Sequence, residues 1–361
     1  MSIFYHNISM GKEKKLTVFL IVFYFISFAS IFSFSKYIVS DNSLVIKQTI
    51  FYAVGIGLIF LLKKISFKRI INFSFYIYLI NVLLLILVLF VGDEINGTRA
   101  WINLGFLGTF QPSEFMKIGI ILYGSCIIRE YDEKKFGKKC DLILLLKLFV
   151  MLLIPSILTF LEPDTGAIFI YFISVLFMLF ISDIKKTWFI LLFIILFFTL
   201  GSVLYLYNFH DDILIKIFGS SLFYRLDRLF DWSNSSGMQL SNSLIAIGAS
   251  GFFGNGLNNI LIYFPEGHTD FIFTSLTSIF GLVGSLILIV LFIFFDFFIL
   301  DLSNKKNKYV VMGFIGILLY QQIQNISMTI GLLPITGITL PFISYGGSSL
   351  ISYMILLGLV I

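Results

Sequence analysis

The sequence predicts an all-α integral membrane protein of about ten transmembrane helices, with a large extracytoplasmic loop between the seventh and the eighth. Three observations carry that expectation. The 361 residues are 58% hydrophobic and only 12% charged, against roughly 45–50% apolar content in a soluble globular domain. Apolar stretches repeatedly reach the roughly 20 residues a helix needs to cross about 30 Å of hydrocarbon, and the short alternating segments of a transmembrane barrel are missing. Lysine and arginine crowd into every second loop, and since positive charge is retained on the cytoplasmic side, both termini are expected inside.

The first span, 16–34, follows Lys12, Lys14 and Lys15. No small-residue cleavage pattern comes after it, so it reads as a retained span and not as a signal peptide. Spans 45–62 and 70–91 flank the basic residues Lys63, Lys64, Lys68 and Arg69. The chain is then outside over 92–112, where Pro112 suits the first turn of the next helix. Span 113–128 returns to Arg129, Lys134, Lys135, Lys138 and Lys139. Spans 142–161 and 166–181 are joined outside by 162–165 and are followed by Lys185 and Lys186. Span 188–209 opens into the outer loop 210–269, and 271–300 leads back to Lys305, Lys306 and Lys308. Spans 309–330 and 342–361, joined outside by 331–341, complete one polytopic domain over 1–361. The inner loops account for the net charge of +5, with anionic inner-leaflet lipids as sufficient partners and no need of nucleic acid. Cys126 and Cys140, near the inner end of the fourth span, have no metal-ligand spacing and indicate neither a disulfide nor a zinc site.

Nearly all distinctive polar residues fall in the outer loops. Span interiors are almost free of charge, whereas a transporter carries ionisable groups or broken helices near the midplane; the chemistry is therefore expected at the outer interface. In N-G-T-R-A-W-I-N-L-G-F-L-G-T-F-Q-P-S-E-F-M-K, 96–117, Arg99 and Lys117 offer two cations to a phosphate or pyrophosphate. Glu114 shares a helix face with Lys117. The competing reading makes Trp101 an interfacial anchor, lets Lys117 snorkel and leaves Glu114 as its partner. In L-E-P-D-T-G, 161–166, Asp164 suits a helix N-cap. Segment 231–257 reads as an amphipathic stretch on the membrane followed by a glycine-rich turn. In F-P-E-G-H-T-D-F-I-F, 264–273, His268 and Asp270 sit where water meets lipid, although Asp270 also fits an N-cap and His268 a solvated loop residue. In G-L-L-P-I-T-G-I-T-L-P-F-I-S-Y-G-G-S-S-L, 331–350, two prolines and Gly346-Gly347 imply broken or closely packed backbone.

Together these motifs make the chain similar to the SEDS family of polytopic membrane proteins, the RodA, FtsW and SpoVE peptidoglycan polymerases, from the first span to the last residue. The segments W-I-N-L-G, Q-P-S-E-F-M-K, P-D-T-G, S-L-I-A-I-G, P-E-G-H-T-D-F-I-F and L-P-F-I-S-Y-G-G-S-S-L carry the resemblance. It implies ten helices in the bacterial cytoplasmic membrane and a glycosyltransferase that polymerises lipid II on the outer face, with a lipid II flippase and a non-catalytic scaffold as alternatives. It further implies a class B penicillin-binding protein and other divisome or elongasome proteins as partners. Asp270 matches the residue regarded as catalytic. Arg99, Trp101, Glu114, Lys117, Asp164, His268, Ser344 and Ser348 are the candidate substrate-binding residues, and basic side chains or a divalent Mg or Mn would stabilise the leaving pyrophosphate. The chain departs from the family pattern in three places: Ser278 and Ile279 replace a common acidic pair, Ala100 separates Arg99 from Trp101, and Glu162 replaces a glutamine. Segments 224–229 and 243–248 look more like the FtsW branch, which favours division.

Overall fold

A computed structural model describes residues 2–38, 42–95, 98–105, 108–134, 138–218 and 238–361. In chain order it contains α1 (Ser2–Ile38), α2 (Ser43–Lys63), α3 (Phe67–Asn72), α4 (Ser74–Val91), β1 (Asp93–Ile95), β2 (Thr98–Asn103), β3 (Thr109–Phe110), α5 (Pro112–Lys134) and α6 (Lys138–Leu161). There follow α7 (Thr165–Phe180), α8 (Thr187–Phe209), α9 (Asp211–Phe218), α10 (Met238–Ala249), α11 (Ile272–Asp301), α12 (Lys308–Thr329) and α13 (Gly347–Val360).

Each of the ten expected spans falls on a helix. Among the described residues seven helices are long and apolar enough to cross a membrane, while α7 and α13 are shorter apolar helices. α5 fits neither class, because it carries charge at both ends, Glu114 and Lys117 in its first turns and Arg129, Glu130, Asp132 and Glu133 in its last. Phe25, Phe60, Phe90 and Phe294 are each more than 60% exposed, as expected of side chains that face lipid and not water.

Several expectations need correction. The bundle is all-α as expected, but the 92–112 loop is not irregular throughout: it forms a small three-stranded antiparallel sheet in the order β1-β2-β3. The third span is broken at Phe73, with short α3 before it. The last helix begins only at Gly347, since 339–346 is non-helical. The eighth span is interrupted at Gly281, whose φ of 67° and ψ of −166° are not helical.

That interruption has a partner. The glycine-rich turn after α10 docks into it through backbone bonds: Asn255 and Gly256 donate to the carbonyls of Ser278 and Ile279 at 2.9 and 3.1 Å, and Leu282 and Val283 donate to Gly251 and Phe252 at 3.0 Å each. Gly281 lies nine residues into α11, about 14 Å along the axis, and irregular backbone at such depth persists only where protein satisfies it. Segment 238–256 is therefore packed into the bundle, with Leu240, Ser243 and Ala246 buried, and does not merely lie on the membrane.

The main core packs α1, α2, α11, α12 and α13 with one face of α5. A second core packs α4, α6 and α7 against the other face of α5. α5 is the shared wall, and this places its first turn at the centre of one end of the bundle. The basic loops gather at the opposite end, where Lys12 pairs with Asp301 at 3.3 Å, Lys63 with Glu13 at 3.1 Å and Lys308 with Asp132 at 3.8 Å.

The span interiors are less empty than expected. Asp296 is 7% exposed inside α11 and accepts a bond from Gln322 Nε2 at 3.2 Å. α12 also buries Gln321, Gln324 and Asn325. These amides bind protein groups: Gln321 Oε1 accepts from Tyr353 at 2.9 Å, and Gln324 donates to the Pro334 carbonyl at 3.0 Å. They read as glue between helices, in keeping with such polar residues in membrane bundles.

Candidate functional site

Asp270 does not cap a helix. The N-cap of α11 is Phe271, which makes no side-chain cap bond. Residues 266–271 form a tight turn in which the Thr269 and Phe271 N–H groups donate to the Glu266 carbonyl at 3.2 and 2.9 Å, and Thr269 Oγ1 donates to Glu266 Oε2 at 2.7 Å. Glu266 takes a left-handed φ of 54° to close the turn.

Three helices and the broken segment before α13 clamp this turn. Ser275 Oγ, on α11, donates to the Gly267 carbonyl at 2.5 Å. Asn325, on α12, bridges two strands of chain, donating at 2.8 Å to the Asp270 carbonyl and at 2.7 Å to that of Ile338. Ser344 Oγ donates to the Thr269 carbonyl at 2.7 Å and accepts from the Leu340 N–H at 2.8 Å, while the Tyr345 N–H donates to the His268 carbonyl at 2.8 Å. His268 is not a solvated residue: its ring stacks on Phe34 at 5.8 Å and lies 5.7 Å from Tyr345, with Nδ1 buried and unpartnered. Burial holds its pKa below the usual histidine value, against the opposing charge of Glu266.

The Asp270 carboxylate is thus aimed by fixed backbone. Gly337 faces it in a left-handed backbone conformation, φ 70°, and a Cβ there would stand in ordinary contact with Oδ2 at 3.4 Å. Burial raises its pKa from 3.8 to about 7, and the negative charges of Glu266 and Asp164 act in the same direction. A carboxylate poised near neutrality is suited to general-base work.

A second group of side chains supplies that Asp164 charge. Asp164 caps α7 as expected, accepting from the Ala167 N–H at 3.1 Å, and also accepts from Gln111 Nε2 at 3.1 Å and Ser113 Oγ at 3.0 Å. Its pKa is raised by burial, although the Ala167 and Ser113 bonds and Lys117 counter this. Glu114 and Lys117 form the expected i,i+3 pair on α5, but Lys117 does not snorkel: it is 1% exposed, salt-bridged to Glu114 and 4.7 Å from the Tyr353 ring centroid. Its ammonium is already committed. Glu162 is fully buried, both carboxyl oxygens lack a partner, and burial with the Asp164 charge pushes its pKa up to about 8.

The structure therefore joins Glu114, Lys117, Asp164 and Asp270 through their charges. Ser348 adjoins them, accepting from the Gln111 N–H at 3.0 Å and donating to the Thr109 carbonyl at 3.3 Å. Ser344 and Ser348 are buried and hold backbone. Arg99 stands exposed on β2 without an ion pair among the described residues. Half-buried Trp101 is two residues along the strand, past an irregularity in which Thr98 and Trp101 pair with Ile95 and Asp93. Asn96-Gly97 and 219–237, with the 224–229 motif and Trp232, lie outside the described residues.

Sequence reasoning missed Gln111, Ser113, Gly337 and Asn325 as supports of the site. Gln111 and Ser113 lay inside a quoted motif. Asn325 was signalled only by polar residues in an apolar span. No group of three His, Cys, Asp or Glu side chains among the described residues converges as a metal cage, and the Lys117 ammonium already provides positive charge among Glu114 and Asp164.

Comparison with known proteins adds to this geometry. A family model described as cell cycle protein, covering FtsW, RodA and SpoVE, matches residues 14–361. The chain is 35% identical over 334 residues to a probable peptidoglycan glycosyltransferase FtsW of Coxiella burnetii, covering 88% of this chain and 85% of the relative. It is 33% identical over 332 residues to that of Buchnera aphidicola subsp. Schizaphis graminum, covering 86% and 88%. Among solved structures it is similar to a chain of a peptidoglycan synthase complex that coordinates polymerization and crosslinking, with TM-score 0.77, 27% identity and coverage of 96% and 95%. It is also similar to the rod shape determining protein RodA of Thermus thermophilus, with TM-score 0.67, 26% identity and coverage of 96% and 94%.

Proposed function

The chain belongs to the FtsW, RodA and SpoVE family of cell cycle proteins, and from that membership we propose that it is a peptidoglycan glycosyltransferase that polymerises lipid II for cell division. The single observation that carries the mechanism is the Asp270 carboxylate, held by backbone clamps from α11, α12 and the 338–345 segment and brought to a pKa of about 7.

Asp270 takes the proton from the acceptor sugar hydroxyl as that oxygen attacks the anomeric carbon of the donor. The bond from that carbon to the lipid diphosphate breaks, and the diphosphate leaves with the electron pair. General-base catalysis of this kind contributes typically about 10²–10⁴-fold. Arg99 holds the diphosphate through its planar fork, and Trp101, on the same strand, packs against the sugar or the lipid head. His268, Ser344 and Ser348 position the machinery. Lys117 and Glu114 set the field around Asp164 and Asp270.

The site end of the bundle faces the outside of the cytoplasmic membrane, with both termini inside. Supporting this is the collection of Lys12, Lys63, Arg129, Lys185 and Lys308 at the other end. The similarity to a chain of a synthase complex that couples polymerization to crosslinking supports a class B penicillin-binding protein as partner, with other division proteins around the pair.

The test is purified protein with its cognate transpeptidase and labelled lipid II, scored for glycan polymer. Wild type makes polymer and Asp270→Asn makes none while remaining folded and bound to the transpeptidase. Full activity of Asp270→Asn would return the residue to a structural role and end the proposed mechanism.

A further inference from the structure

A groove at the basic end of the bundle lies far from the site just described. It runs between α1 and α11, has a volume of about 640 Å³, and is lined by Lys14, Lys15, Val18, Phe19, Leu291, Phe294, Phe298 and Asp301. Phe19 and Phe298 form its floor, with ring centroids 5.6 Å apart. Val18 and Phe294 form its walls and are 60% and 63% exposed.

The charges at its mouth are unequal. Asp301 is answered by Lys12, which reaches both its carboxylate at 3.3 Å and its backbone carbonyl at 2.7 Å. Glu13 is answered by Lys63 at 3.1 Å. Lys14 and Lys15 are both exposed and have no acidic partner among the described residues. The mouth therefore carries two uncompensated cations above an apolar trough. On α11 the lining residues Leu291, Phe294, Phe298 and Asp301 follow helical spacing on one face, over about 15 Å of axis. That is half of the roughly 30 Å hydrocarbon core, the depth of one leaflet.

We propose that this groove is a binding site for one anionic glycerophospholipid of the adjoining leaflet, its phosphate at Lys14 and Lys15 and an acyl chain along Val18, Phe19, Leu291, Phe294 and Phe298. A zwitterionic lipid fills the trough equally well and offers the same phosphate, but its headgroup cation offsets that charge and is repelled by the two lysines, so the site discriminates by net headgroup charge. Two juxtamembrane lysines give a preference on the order of tenfold or more. That this leaflet is the cytoplasmic one rests on the orientation proposed above; the binding itself does not.

The experiment is native mass spectrometry of the full-length protein titrated with phosphatidylglycerol or phosphatidylcholine of identical acyl chains. Wild type is expected to retain phosphatidylglycerol about tenfold better, and Lys14→Gln/Lys15→Gln to retain the two about equally. Leu291→Trp, which fills the trough, is expected to weaken both lipids alike. Equal retention by wild type, or a preference that survives the double substitution, would overturn the proposal. So would unchanged phosphatidylglycerol retention in Leu291→Trp, because the lysines would then act from the open surface, or displacement of the lipid by soluble glycerol phosphate. None of these readouts uses polymerisation, so failure here is separate from failure of the proposed enzymatic activity.

Discussion

Lys117 is 1% exposed and salt-bridged to Glu114, itself only 12% exposed, so removing its charge strands a largely desolvated carboxylate. Lys117→Met is expected to destabilise by about 3–5 kcal/mol, and Lys117→Met/Glu114→Gln to recover most of that loss; chemical unfolding of the detergent-solubilised protein measures both. Glu162 makes the opposite prediction. Its folded pKa of about 8 lies above the ordinary 4.5, so folding favours the protonated form. The stability of that form is fully present below pH 4.5 and is lost as pH rises toward 8. Glu162→Gln should therefore be more stable than wild type at pH 7, by about 3 kcal/mol from the linkage relation, with the advantage shrinking to nothing below pH 4.5. Asp270 must be ionised to accept a proton. With its pKa near 7, kcat/KM should rise about tenfold per pH unit on the acid side and level off above that value; a profile flat from pH 5 to 8 would contradict it.

At the scale of elements the decisive feature is the lock between the turn after α10 and the break in α11. A Cβ on Gly254 would fall 2.2 Å from the Ile279 carbonyl oxygen, and one on Gly281 would fall 2.3 Å from Gly254 N, with both residues at positive φ. Neither neighbour is a side chain that can turn away. Gly254→Ala or Gly281→Ala should cost about 3 kcal/mol or more, combining strained backbone with steric overlap. Gly248, inside α10, has nothing within 4 Å of the same position. There alanine should stabilise by about 0.5–1 kcal/mol, since only the helix preference changes. Thermal unfolding of the three variants side by side separates the lock from a general intolerance of substitution. The lock also runs through Ser278 and Ile279, whose carbonyls accept from the turn.

Over the whole molecule, charge is segregated by end. Exposed Arg99 stands at the end that holds Asp270, and exposed Lys185 belongs to the basic end. With Cys126 and Cys140, both free thiols, replaced by serine, an impermeant maleimide added to intact cells should label Arg99→Cys and leave Lys185→Cys untouched until the membrane is opened. The reverse pattern would invert the orientation and put Asp270 in the cytoplasm. The two cores meet on α5, so the Glu114–Lys117 pair, the α7 cap at Asp164 and the Asp270 turn converge only when both cores have formed. Disturbance of either core is therefore felt at the site.

The class, the ten helical segments and the residues around which chemistry was expected could be read along the chain, because hydrocarbon thickness and charge retention act on local runs of residues. Asp270 and Asp164 were legible for the same reason, as carboxylates beside long apolar runs. What each side chain meets had to wait for the folded chain. Lys117 reads as a snorkelling or phosphate-binding cation until α5 is seen to bury it against Glu114 and Tyr353. Asp270 reads as a helix cap until Phe271 is seen to take that place. Asn325 reads as a stray polar residue until it is seen holding the carbonyls of Asp270 and Ile338, 55 and 13 residues away. Burial and hydrogen-bond partners are properties of pairs distant in the chain, and a sequence without its contacts does not contain them.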